Sequence, residues 1–203
     1  MNKVFWRSLY WFNWLFIITY WYLSAESLFR NGFYSSLYAF GMLFGLGAVY
    51  MVLTQFFLIS RLPALEQMFG QDKLTRLHHD HGLRAIFLII LHPIFLIIGH
   101  MHAVGITFWQ QFMDYVFNYE ELLPGLIGLM LFIIVVFVSL YIVSKHLRYE
   151  SWYFVHLLVY LAVFFAFGHQ TELGSTLTGS KIFTFYWLLL YTVVLSIHGL
   201  YRF

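Results

Sequence analysis

Residues 77–102 read LHHDHGLRAIFLIILHPIFLIIGHMH. The run is long and apolar enough to cross a bilayer, which takes a helix of about 20 residues. Yet it carries six of the ten histidines in the chain. His78 and His92 are fourteen residues apart. On an α-helix that separation falls about 40° short of four full turns and rises roughly 21 Å. Both imidazoles therefore lie on nearly one face at two depths. A histidine inside a membrane is costly and marks a functional site by default.

Composition agrees with the membrane reading. The 203 residues are 62% hydrophobic and only 10% charged, with a mean hydropathy of +0.77. No basic run exists, so nucleic acid is not an expected partner; the lipid bilayer is. There are no cysteines, which removes disulfides, thiolate metal sites, iron–sulfur clusters and cysteine nucleophiles. Histidine is left as the main metal ligand, with methionine second. The few carboxylates are scattered and no nucleophile motif or nucleotide loop is present, so no catalytic dyad is expected. The first apolar run lacks a small-residue cleavage site and reads as a retained span.

Six runs are long enough to span: residues 9–25, 36–59, 77–100, 123–143, 149–169 and 182–201. The expected fold is an all-α, polytopic membrane bundle of six transmembrane helices, a single domain over residues 1–203. Lys3 and Arg7 precede the first run, Arg61, Lys73 and Arg76 fill the second connection, Lys145 and Arg148 the fourth, and Arg202 closes the chain. The alternate connections hold only Arg30 and Lys181. The positive-inside rule then puts both termini in the cytoplasm. Gly41, Gly45 and Gly47 predict close helix contact, and Pro93 predicts a kink in the third span.

The fifth span carries a second pair, His156 and His169, thirteen residues apart. Spans three and five enter from the same side and run parallel. His78 and His156 then share the cytoplasmic level, and His92 and His169 the outer one. Two bis-imidazole sites stacked across the membrane suit haem iron, whose two axial positions need one ligand from each side. Gly82 and Ala85, on the His78/His92 face, are expected to leave room for a flat macrocycle. Thirteen residues leave His169 about 140° from His156 on an ideal helix. A bend, a π-bulge near Gly168 or a shifted approach of the outer haem is needed to close that gap.

The segments RLPALEQMFGQDKLTRLHHDHGLRAIFLIILH and LRYESWYFVHLLVYLAVFFAFGH resemble the ferric reductase-like membrane domain shared by ferric reductases and NADPH oxidases. The resemblance covers spans two to six and rests on the paired spacings with the RLP, YE and W-x-x-x-H pieces. It implies a six-helix oxidoreductase domain, multi-pass in a bacterial inner membrane, holding two haem b. His78 and His156 would bind the inner haem, and His92 and His169 the outer. It also implies FAD and NAD(P)H on a further cytosolic domain or partner subunit, because this chain stops at Phe203. Electrons would pass from that flavin through both haems to an acceptor outside. Ferric chelates are the expected acceptor. Leu96 stands where animal NADPH oxidases carry a further histidine, which weighs against oxygen reduction to superoxide. A separate haem subunit fed by a partner, as in methionine sulfoxide reductase systems, is the other arrangement. A histidine-lined transporter is disfavoured by the lack of intramembrane carboxylates.

Other residues carry secondary expectations. Arg84 lies about 9 Å along the helix from His78, and inside a membrane it needs a partner. A haem propionate, Glu66 or solvent at the cytoplasmic face would serve. Arg61 of the RLP piece is expected at a propionate or as a positive flank. His79 and His81 read as solvated neighbours of Asp80, and only His78 keeps the fourteen-residue spacing. His100 and His102 read as surface residues or as a shallow metal-acceptor site, since imidazole binds Fe, Cu and Zn readily. His146 and His198 read as interfacial.

Overall fold

The computed structural model describes residues 2–143 and 148–202. Among these, every regular element is a helix: α1 (Lys3–Arg30), α2 (Phe33–Leu58), α3 (Pro63–Phe69), α4 (Gln71–Val104), α5 (Phe108–Asn118), α6 (Leu122–Val143), α7 (Tyr149–His156), α8 (Leu158–Leu173), α9 (Ser175–Thr178) and α10 (Lys181–Arg202). Lys145 and His146 lie outside the described residues.

The breaks fall where backbone chemistry demands them. Gly70, at φ 77°, ends α3 and turns the chain directly into α4. Gly105, also at φ 77°, ends α4 in the left-handed conformation that glycine adopts without steric cost. Thr107 and Gln110 then form a reciprocal capping box that starts α5. Helix α4 runs 34 residues, about 51 Å, and begins six residues before the expected span because nothing in residues 71–76 breaks a helix. It continues through Pro93.

α2 is the centre of the bundle. It packs most extensively along α4, with α1 and α10 against its other sides, while α6 packs along α8. Small residues permit these approaches. A Cβ added at Gly41 would stand 2.9 Å from the Leu96 nitrogen, and one at Gly128 would stand 2.9 Å from the Ala162 oxygen. Close backbone contact of this kind is how helices associate where lipid removes the hydrophobic drive.

Facing outward, Trp11, Phe87, Phe137, Phe164 and Phe185 are 62–72% exposed. Large apolar rings on five different helices cannot face water at that density, so the surface belongs in lipid. Among the described residues, five helices are long and apolar enough to cross a membrane: Phe33–Leu58, Gln71–Val104, Leu122–Leu140, Tyr149–Leu173 and Lys181–Arg202. They match expected spans two to six. The first expected span lies within α1, which has 28 residues but carries Asn13 and many tryptophans and tyrosines that hold its hydropathy down. The fifth span is α7 and α8 in series.

Candidate functional site

Helices α4 and α7–α8 bring the four histidines together as two pairs. The rings of His78 and His156 have centroids 6.1 Å apart, and those of His92 and His169 are 6.4 Å apart. An imidazole nitrogen sits about 2.0–2.1 Å from a first-row metal and about 1.1 Å from its own ring centre, so two rings trans across one metal have centres roughly 6.3 Å apart. Both pairs meet that spacing.

The fifth span departs from regular α-helix at Leu157, not at Gly168. Leu157 keeps helical angles, φ −64° and ψ −18°, but the Tyr160 nitrogen bonds back to its oxygen at 3.1 Å, a tighter turn where α7 runs into α8. Gly168 lies in unbroken helix with nothing near its missing side chain.

Neighbouring helices fix how the rings are presented. His92 Nδ1 lies 2.8 Å from the Gly41 carbonyl, so Nδ1 carries the proton and donates it. Nε2 is left with its lone pair. His156 reaches the same state by a different route. Its Nδ1 lies 3.2 Å from Ser139 Oγ, whose only proton goes to the Val135 carbonyl at 2.7 Å. Ser139 must therefore accept from His156. Trp152 Nε1 also donates to that oxygen, at 3.3 Å. Such partners set the tautomer of a ligating histidine.

His78 is met by Gln55 of α2. With its nitrogen turned toward His78, the Gln55 amide donates to the His78 carbonyl (2.6 Å) and to Nδ1 (2.7 Å), while its oxygen accepts from the Gly82 N–H (2.7 Å). Nδ1 is then an acceptor and the neutral ring keeps its proton on Nε2, the opposite tautomer to His92 and His156. His169 Nδ1 is buried with no hydrogen-bond partner among the described residues. Its ring lies over Gly125, where an added Cβ would be 2.9 Å away, and a Cβ at Gly45 would be 2.7 Å from the His92 ring. Gly45 thus does more than pack α2 on α4. It makes room for His92.

Around the second pair lies a cavity of about 510 Å³, with His92 and His169 in its walls among Gly45, Leu126, Phe132 and Val163. An apolar chamber with two facing imidazoles fits a flat, apolar, metal-bearing group. Gly82 and Ala85 do not line it. Gly82 meets Gln55, and Ala85 is buried in the core, so their small size serves the α2–α4 contact.

The remaining expectations divide. His79 is exposed, whereas His81 packs edge-on against Tyr10 of α1, at 5.7 Å. His78 alone of these three faces the partner helix. His100 and His102 are held apart. His100 lines the cavity, bonded through Nδ1 to the Tyr115 hydroxyl (2.9 Å), while His102 stacks on Tyr34. Burial, with Tyr38, Tyr119 and Asp114 nearby, pushes the Tyr115 phenol above its ordinary pKa, so the hydroxyl stays protonated. His198 is buried rather than interfacial, joined to the Phe56 carbonyl and the Tyr160 hydroxyl, each at 2.8 Å. Arg61 pairs with Glu66 at 3.2 Å, and Arg84 is exposed beside Leu83 and Phe87.

The family model of the ferric reductase-like transmembrane component matches residues 44–167, more than half of the chain. The chain belongs to the ferric reductase-like transmembrane family. Comparisons with curated proteins and with solved structures give no match. The matched region holds His78, His92 and His156, and it ends two residues before His169. Membership makes this ferric reductase-like chain an oxidoreductase membrane domain, with electron transfer across the membrane as its class of work.

Sequence reasoning missed Gln55, Ser139 and Gly125 as partners of the histidines. The signal was available for two of them. A lone amide or hydroxyl inside an apolar span needs a partner, and a histidine on a facing helix supplies one.

Proposed function

We propose that this ferric reductase-like domain is a transmembrane electron conduit that binds two haem b, one at His78/His156 and one at His92/His169. The observation that carries this reading is the spacing of the two pairs, 6.1 and 6.4 Å between ring centres, at two levels of the same helices. His78 with His156 and His92 with His169 would hold the haems, which would supply one-electron redox chemistry when bound.

The residues of the chain do the rest. Gly41 and Ser139 hold His92 and His156 as Nδ1–H tautomers, aiming their Nε2 lone pairs between the helices. Gly45 and Gly125 let the rings of the outer pair lie against α2 and α6. The largely apolar lining of the outer chamber gives that pair a low-polarity setting. The reading takes six spans with both termini in the cytoplasm, as the positive-inside pattern suggests, and sets the first pair near a cytosolic flavin fed by NAD(P)H, on another domain or a partner subunit. The second pair faces an acceptor outside, read as a ferric chelate. Of the two histidines offered for such a chelate, only His100 lines the chamber.

The test is a dithionite-reduced spectrum of the purified chain, with haem counted against protein. A split b-type α-band at about two haems per chain supports the reading, whose ligand count follows from one histidine per axial position. Protein that purifies folded and without haem sinks it.

A further inference from the structure

Gln170 follows His169 directly on α8, so the two side chains point about 100° apart around the helix. His169 points toward His92. Gln170 points toward α10 and is 8% exposed. Its Oε1 accepts from Trp187 Nε1 at 3.0 Å and from the Tyr191 hydroxyl at 3.1 Å, and its Nε2 donates to the Ala166 carbonyl at 2.6 Å. Trp187 is 0% exposed and Tyr191 7%. Both lone pairs of the amide oxygen are used, and the reverse orientation would set an amide N–H against the Trp187 N–H and the amide oxygen against the Ala166 carbonyl. This is a closed polar knot in an apolar bundle, where each bond is strong and an orphaned donor is costly.

The other three histidines each have a group on α2 or α6 against Nδ1, whereas His169 has none among the described residues. The aim of its ring is therefore set by how α8 sits: by the packing of the ring on Gly125 of α6 and by the polar anchor that Gln170 makes to α10. We infer that Gln170 is the positioning residue for His169: by locking α8 to Trp187 and Tyr191 of α10, it aims the imidazole across the chamber at His92. This rests on the proposed role of the His92/His169 pair as a haem site. His156 lies fourteen residues before Gln170, about 21 Å along the helix, and is held separately by Ser139 of α6, so the effect stays at the outer pair.

The experiment uses the haem-loaded full chain, with each site's low-spin EPR signal and midpoint potential assigned through His78→Ala and His92→Ala. Gln170→Leu removes the acceptor from both rings. The expected result is a shifted or lost outer-pair signal, with haem retention there weakened about tenfold or more, as for other outer-shell partners of metal ligands. The His78/His156 signal stays unchanged. Trp187→Phe, which keeps the Tyr191 bond, gives a smaller outer shift and serves if Gln170→Leu does not fold. The inference is overturned if both signals move together, which marks general packing, or if neither moves. An unsubstituted chain without haem overturns the conduit reading itself, and this inference with it.

Discussion

At the scale of single residues, the histidines are specified by what touches their far nitrogen and by what is missing beneath their rings. Gly45 and Gly125 are the sharpest cases, because a methyl group at either would overlap a histidine at 2.7 or 2.9 Å. Overpacking of this kind costs about 1–3 kcal/mol, and here the displaced group is the candidate ligand itself. Gly45→Ala and Gly125→Ala should therefore each remove the outer haem and spare the inner, halving the haem-to-protein ratio. Ser139→Ala should act on the other pair. It takes away the acceptor that holds the proton of His156 on Nδ1. Loss of such a partner weakens metal retention by about 10–100-fold, and redox titration would show the inner component changed alone. Retention of both haems in all three variants would break the link between these contacts and the sites.

At the scale of elements, α5 is the piece that sequence periodicity left inside a connection. It is an eleven-residue helix started by the Thr107–Gln110 box and tied to α4 through the Tyr115–His100 bond at 2.9 Å, with the two rings stacked. Because both residues line the chamber of the second pair, α5 covers one end of it. Tyr115→Phe deletes one hydrogen bond, a loss of about 0.5–1.5 kcal/mol. That is enough to loosen α5 without unfolding the bundle. Amide hydrogen exchange should speed up over residues 108–118 while α2 and α4 keep their protection. Equal acceleration across all helices would show that the bond holds more than α5. The tightened turn between α7 and α8 is the other irregularity at this scale. Period arithmetic exposed a phase gap in the fifth span. It could not say that the helix would depart from regularity at Leu157, an ordinary helix former.

At the scale of the whole molecule, the orientation in the membrane is open to a clean experiment because the chain has no cysteine. Lys3 and Glu120 are both exposed. With cytoplasmic termini, a membrane-impermeant maleimide added to intact cells should label Glu120→Cys and not Lys3→Cys. The reverse pattern would invert the bundle. The sequence by itself determined the membrane class, the approximate spans and the matched depths of the four histidines, because each is a matter of local hydropathy and helical rise; the facing of His169 was not, since spacing put it out of phase with His156. It also separated His78 from His79 and His81 by spacing alone, and the facing of His78 and His156 agrees. Only the tertiary structure decided what the spacing left open. It divided His100 from His102, buried His198 between helices, gave Glu66 to Arg61, and turned Gly82 and Ala85 toward α2. The physical reason is that spacing along one helix fixes a residue's depth and face, whereas its partner is fixed by which other helix reaches that face. That depends on contacts between residues as distant in the chain as Gly41 and His92.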